Sequence, residues 1–309
     1  MRIAIMGSGA LGGFFGGLLA RSGQDVTFIA RGAHLEAIRS FGLVVKSAML
    51  GDFSVSAPAT DDPREIGPVD LVLVSVKTYD LDAAAAQLSP LVGPQTAVLP
   101  IQNGIDATAR IARAVSSDTV LTGVAYVLAV VDGPGVIKHI AQGRIVLGLL
   151  NGGPGVRVDR VAQALRAAGI GCETPPDIRV PLWEKFVLLA ATGGVMALTR
   201  LPFGPVRDCA ETRELCRGAM QEAAAVGRAR GVLLPPNLVD RHWEMILGLR
   251  PAGTGSMLQD LKAGRRLELE ALNGAVVHEG QKAGVPTPLN FAVYGALKPY
   301  ADGPPALPA

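Results

Sequence analysis

Near the start of the chain, Gly7-Ser8-Gly9-Ala10-Leu11-Gly12 has the spacing G-x-G-x-x-G. The chemistry this suits is binding of a pyrophosphate. The first glycine permits a tight turn, the second lets the backbone approach a phosphate, and the third lets the following helix pack closely. The phosphates would rest on unpaired N–H groups at the helix start, where the helix dipole favours negative charge. The flanks add weight to the motif. Arg2–Met6 reads as a buried strand, Leu11–Arg21 as a helix ending at Gly23, and Val26–Ala30 as a second strand. Gly13, Gly16 and Gly17 are costly in a helix, so close packing or close ligand approach is expected to retain them.

Arg31 stands just after the second strand. A pocket for NAD usually carries an acid there, whereas a guanidinium can grip a 2′-phosphate with two hydrogen bonds. The expected cofactor is therefore NADPH/NADP+, held by Gly7, Ser8, Gly9, Ala10, Leu11, Gly12 and Arg31. An arginine ahead of an apolar run also has the look of an export signal, but the glycines interrupt that run and suit a strand–turn–helix start.

A second group that could do chemistry is Lys185, in Pro181-Leu182-Trp183-Glu184-Lys185-Phe186 and followed by Val187-Leu188-Leu189-Ala190-Ala191. A lysine at the edge of a buried helix can have its pKa lowered by desolvation and donate a proton near neutral pH. A lysine whose stem packs while its amine reaches water is the plainer alternative. Ser256 reads as the cap of a helix running to Lys262. On their own, Glu268 and Asn273 read as exposed helix residues.

These residues need elements to position them. Val69–Val76 and Thr96–Ile101 read as strands of a parallel sheet, apolar almost throughout. Lys77 and Asn103 follow them, at the carboxyl ends where such sheets bind ligands. Leu43–Val45 with Phe53–Ala57 suggests a hairpin. Val120–Val131, Gly135–Ala141 and Arg144–Leu149 suggest an antiparallel edge on the same sheet. Helices are expected over 34–41, 81–91, 106–114 and 158–168. Past Pro175-Pro176 strand signals fade, and 181–198, 209–230, 238–247, 256–262 and 267–283 read as helices broken by proline and glycine.

The 309 residues are enough for two domains, and with 49% apolar and 18% charged residues a sizeable core is available. The net charge is +2 without a basic stripe, so nucleic acid is not an expected partner. Apolar stretches such as 187–198 run about twelve residues, too short to span a bilayer, so no membrane partner is expected. Cys172, Cys209 and Cys216 lack metal-type spacing and point to a reducing, cytoplasmic setting. Cys209 and Cys216 are expected to share a buried helix face.

The motifs G-x-G-A-L-G with a basic residue after strand two, Val76-Lys77, Asn103-Gly104, Trp183-x-Lys185 and Ser256-Met-Leu-Gln-Asp…Glu268…Asn273-Gly274 resemble the ketopantoate reductase (2-dehydropantoate 2-reductase) family, and they span nearly the whole chain. The resemblance implies a 6-phosphogluconate dehydrogenase-like fold. Residues 1–176 would form an α/β N-terminal Rossmann-type dinucleotide-binding domain and 177–301 an all-α C-terminal domain, with 302–309 a disordered tail. The cleft between the domains is the expected reaction site.

The resemblance further implies that NADPH reduces a small-molecule 2-oxo acid, 2-dehydropantoate, to pantoate, as in pantothenate and coenzyme A biosynthesis. Lys185 would be the catalytic proton donor. Asn103, Lys185 and Ser256 would bind substrate, while Lys77, Asn103, Ala129 and Glu268 would contact cofactor. No metal is implied. A homodimer through the helical domain is one expectation. The chain departs from the family at Leu189 and Gly193, where asparagines are common, so a reductase of another 2-oxo acid or related carbonyl compound is the alternative. A non-catalytic NADPH-binding sensor is a further one.

Overall fold

The computed structural model describes residues 1–153 and 155–305, which divide into two compact units. One comprises Met1–Gln102 and Asp106–Ile178; the other comprises Asn103–Ile105 and Arg179–Ala309.

The first unit opens with β1 (Arg2–Met6), α1 (Ala10–Arg21), β2 (Asp25–Ile29) and α2 (Gly32–Phe41). There follow β3 (Leu43–Ser47), β4 (Phe53–Val55), β5 (Ala59–Thr60), β6 (Val69–Val74), α3 (Leu81–Ala85), β7 (Val92–Pro100) and α4 (Ala107–Ile111). β8 (Thr122–Gly133), β9 (Val136–Gly148), α5 (Val156–Ala167) and β10 (Gly171–Glu173) complete it. A parallel sheet has the order β5-β2-β1-β6-β7. Its strands alternate between two cores. Ile3, Ile5, Leu71, Leu73, Ala97 and Leu99 join the core shared with α1, while Ala4, Met6, Val72, Val74 and Val98 face the core of α3 and α4. A period of two with both faces apolar is what a sheet covered on both sides requires.

The β8–β9 hairpin differs from expectation. It is not an antiparallel edge on the parallel sheet but part of a second sheet, in which β9 pairs with β3 and β10 in parallel and β8 is antiparallel to β9. β9 is also one strand across the expected break, passing through Gln142 at φ 62°. Helix α1 packs against both sheets. Its glycines make this closeness tolerable: a Cβ on Gly13 would lie 2.7 Å from Ile137, and one on Gly16 would lie 2.7 Å from Phe28. Close packing therefore explains both glycines.

The second unit is helical: α6 (Arg179–Thr199), α7 (Phe203–Asp208), α8 (Ala210–Ala229), α9 (Leu238–Leu247), α10 (Ser256–Lys262), α11 (Ala275–Ala283) and α12 (Pro288–Leu297). Helix α6 packs on α8, α10 and α12. It is longer than the apolar stretch expected and is long and apolar enough to cross a membrane, yet most of it is buried inside the structure. Its apolarity serves this core. Helix α12 begins at Pro288, and a proline suits a first helical turn. Residues 302–305, expected in a disordered tail, include Asp302 paired with Arg266 at 2.9 Å; the remainder of that expectation, 306–309, lies outside the described residues. Cys216 is buried but Cys209 is exposed at the helix cap, so the two thiols do not share a buried face.

Candidate active site

In the first unit the loop after β1 is built almost wholly of main chain. Gly7 adopts φ 96°, and a Cβ there would sit 2.7 Å from Val76. A Cβ on Gly12 would collide with the Gly7 carbonyl and the Ser75 hydroxyl. Gly9 is different: it is the N-cap of α1, no side chain caps that helix, and nothing lies within 4 Å of its Cβ position. The loop is fixed from below. Ser75 Oγ donates to the Gly7 carbonyl at 2.7 Å, and buried Ser8 donates through Oγ to the Ile29 carbonyl at 3.0 Å. His34 adds a tie that sequence reading missed. Its Nδ1 accepts from the Gly135 N–H at 3.0 Å, which leaves Nε2 to donate to the Ser8 carbonyl at 2.7 Å.

Ala10 and Leu11 follow in the first turn of α1 and are half-buried. Arg31 is exposed at the N-cap of α2, just past β2, and among the described residues its guanidinium has no partner. Lys77 caps a short 3-10 turn after β6. Ala129 lies within β8 opposite His139, whose ring stacks on Phe14 of α1 at 4.2 Å.

In the second unit, Lys185 lies in the seventh position of α6 and is half-buried. Burial lowers its pKa to about 8, against the opposing pull of the Glu268 carboxylate. Glu268 is 7% exposed and accepts from Asn103 Nδ2 at 3.3 Å. Asn103–Ile105 groups with the helical unit rather than with the strand it follows. Gly104, at φ 91°, lets that segment approach the chain after Glu268, where a Cβ would lie 3.0 Å from the Ala271 carbonyl. The chain there forms a π-helical turn, Glu270–Gly274. Such turns are frequent at functional sites.

Two readings of this region are corrected. Glu268 and Asn273 are buried, not exposed. Asn273 donates to the Ala190 carbonyl and to Asn290, both at 3.1 Å, while Asn290 donates to Glu222 at 2.8 Å. This buried network joins α6, α8 and α12 to the π-turn, and no spacing in the sequence announced it. Ser256 is exposed and is the first residue of α10 rather than its cap; Gly255 holds the cap position, without a side-chain hydrogen bond. The next residue, Met257, places its Cβ 3.8 Å from the Cβ position of Gly193. That point is about 12 Å along α6 from Lys185 at 1.5 Å per residue.

The structure thus brings Lys185, Glu268 and Asn103 together in the helical unit and puts Ser256 on a different helix, α10, whose next residue Met257 meets α6 at Gly193. Gly7–Gly12, Arg31, Lys77 and Ala129 belong to the other unit. A parallel sheet with a glycine loop at its carboxyl edge, joined in one chain to a half-buried lysine on a helix near a buried glutamate, places the protein among oxidoreductases of the dinucleotide-binding type. The comparisons narrow this class. The family model described as ketopantoate reductase PanE/ApbA matches residues 3–152, and its C-terminal counterpart matches 177–301. The chain belongs to the ketopantoate reductase family. It is 33% identical to the 2-dehydropantoate 2-reductase of Mesorhizobium japonicum, covering 97% of this chain and 98% of that one. To the 2-dehydropantoate 2-reductase of Caulobacter vibrioides it is 34% identical, over 97% and 99%. The crystal structure of a PanE/ApbA family ketopantoate reductase from Ralstonia eutropha superposes with a TM-score of 0.90 at 34% identity, covering 97% and 98% of the chains.

Proposed function

We propose that this enzyme reduces 2-dehydropantoate to pantoate with NADPH. The observation that carries the reading is Lys185, an amine whose pKa is drawn to about 8 beside the buried Glu268 carboxylate. The residues of the first unit suit the dinucleotide: an open approach at Gly9, an uncapped helix start, and an exposed guanidinium at Arg31. Gly7 to Gly12 would hold the pyrophosphate, Arg31 the 2′-phosphate, and Lys77, Ala129, Asn103 and Glu268 the rest of the molecule. When bound, the cofactor supplies hydride to the ketone carbon.

The chain's own work is electrostatic. An ammonium at Lys185 beside the carbonyl oxygen stabilises negative charge that appears only in the transition state, and then gives that oxygen a proton. Glu268 holds the amine charged, and Asn103 steadies Glu268 through its amide. Ser256 would bind the substrate carboxylate. The working enzyme is read as a cytoplasmic protein that acts on a small-molecule 2-oxo acid, with a homodimer through the helical unit as its proposed assembly.

A second reading rests on α6. Leu189 and Gly193 follow Lys185 at four and eight residues, and Met257 rather than a polar group lies over Gly193. That surface would suit a 2-oxo acid without the 4-hydroxyl of dehydropantoate. NADPH oxidation with dehydropantoate and with 2-oxo acids lacking the hydroxyl separates the two. Preference for dehydropantoate in kcat/KM is expected, and a large preference for the simpler acids would assign the second.

A further inference from the structure

Gln102 follows β7 and is 6% exposed, yet neither Nε2 nor Oε1 of its buried amide has a hydrogen-bond partner among the described residues. Native structures leave such groups unmet only rarely, and each instance calls for an explanation. Its position supplies one. The ladder of the parallel sheet ends on a common edge: Ser8 N–H donates to the Ile29 carbonyl, Ser75 N–H to the Met6 carbonyl, and Ile101 N–H to the Val74 carbonyl. Gln102 is the first residue past that edge on β7.

The order β2-β1-β6-β7 then sets distances. Adjacent strands are spaced about 4.8 Å apart, so Gln102 stands roughly 10 Å from the end of β1, on the side away from β2 and Arg31. A dinucleotide with its phosphates over the β1 glycines and its adenosine phosphate at Arg31 has one direction left for its other nucleoside: across β6 toward β7. The group arriving there is nicotinamide, whose carboxamide offers one acceptor and two donors. Gln102 offers the complementary set.

We propose that the buried amide of Gln102 binds the carboxamide of nicotinamide and so fixes which face of the ring is presented. The inference rests on the dinucleotide reading above. Lys77, at the end of β6, would neighbour the same nucleoside.

The test compares ligands as well as variants. In Gln102→Met, which keeps the volume and removes both polar atoms, NADPH should bind about tenfold to thirtyfold more weakly by fluorescence titration. The 2′-phosphate of ADP-ribose, which lacks nicotinamide, should bind as it does to the unsubstituted protein. The melting temperature of the ligand-free variant should be unchanged or higher, because an unmet amide is gone. The acetylpyridine analogue of NADPH, which lacks the amide N–H groups, needs no variant: it should bind the unsubstituted protein several-fold more weakly than NADPH. An equal loss for both ligands in Gln102→Met, or a lowered melting temperature with NADPH affinity intact, would show the amide to be a structural group and overturn the proposal. If the unsubstituted protein binds neither NADPH nor the 2′-phosphate of ADP-ribose, the dinucleotide reading itself fails and this proposal falls with it.

Discussion

In the parallel-sheet unit the candidate phosphate site is made of main chain, and what matters is the side chains that are missing. In the helical unit the candidate proton donor is a side chain whose value comes from what surrounds it. Gly7 and Gly12 are pressed so closely by Val76, Ser75 and Gly7's own carbonyl that no Cβ fits. Lys185 is instead tuned by burial and by one carboxylate, itself held by an amide from a distant part of the chain. A backbone site is specified by a short local string. A tuned side chain is specified by whatever the fold packs around it, so changes in the two regions should fail in different ways.

The widest separation is expected from Lys185→Ala. Turnover should fall by about 10²- to 10⁴-fold, the range for loss of a general acid, with NADPH affinity unchanged in titrations. Reduction needs the protonated amine, so the unsubstituted enzyme should lose rate as pH rises through about 8, by roughly tenfold per unit above it. A rate flat from pH 7 to 10 would remove the proton-donor role.

Next comes a pair within the glycine loop. Gly12→Ala should lower stability by about 1–3 kcal/mol, the cost of overpacking a close contact, as read by chemical denaturation. Gly9→Ala should leave the ligand-free fold near its starting stability, since nothing lies within 4 Å of that Cβ position, while still weakening NADPH. Equal destabilisation by both would contradict a loop with one tight face and one open face. The smallest effect is assigned to Arg31→Ala, with about tenfold weaker NADPH and unchanged NADH, in line with loss of a charge-assisted hydrogen bond at an exposed site. Unchanged preference between the cofactors would remove the 2′-phosphate contact.

The glycine loop was legible in the sequence because its causes are local: spacing, flanking strands and helix all lie within thirty residues. Lys185 was visible as a candidate because an ionisable group ahead of an apolar run stands out. Its neighbours were not. Glu268 and Asn273 looked like surface residues because burial in this unit depends on which helices meet α6. The β8–β9 hairpin was correctly read as antiparallel, but alternation cannot say which sheet a strand joins; the pairing of Val44 with Val136 decides that.

The three residues Asn103–Ile105 have one more consequence. The chain leaves the parallel-sheet unit for this short visit, lends the helical unit an amide for Glu268, and returns before leaving for good at Arg179. The units therefore cannot be exchanged as cassettes at a single junction. A chimera spliced after Ile178 would carry its helical half from one parent and the amide that serves it from the other, so recombination between relatives must keep this tripeptide matched to the helices rather than to the strands beside it in sequence.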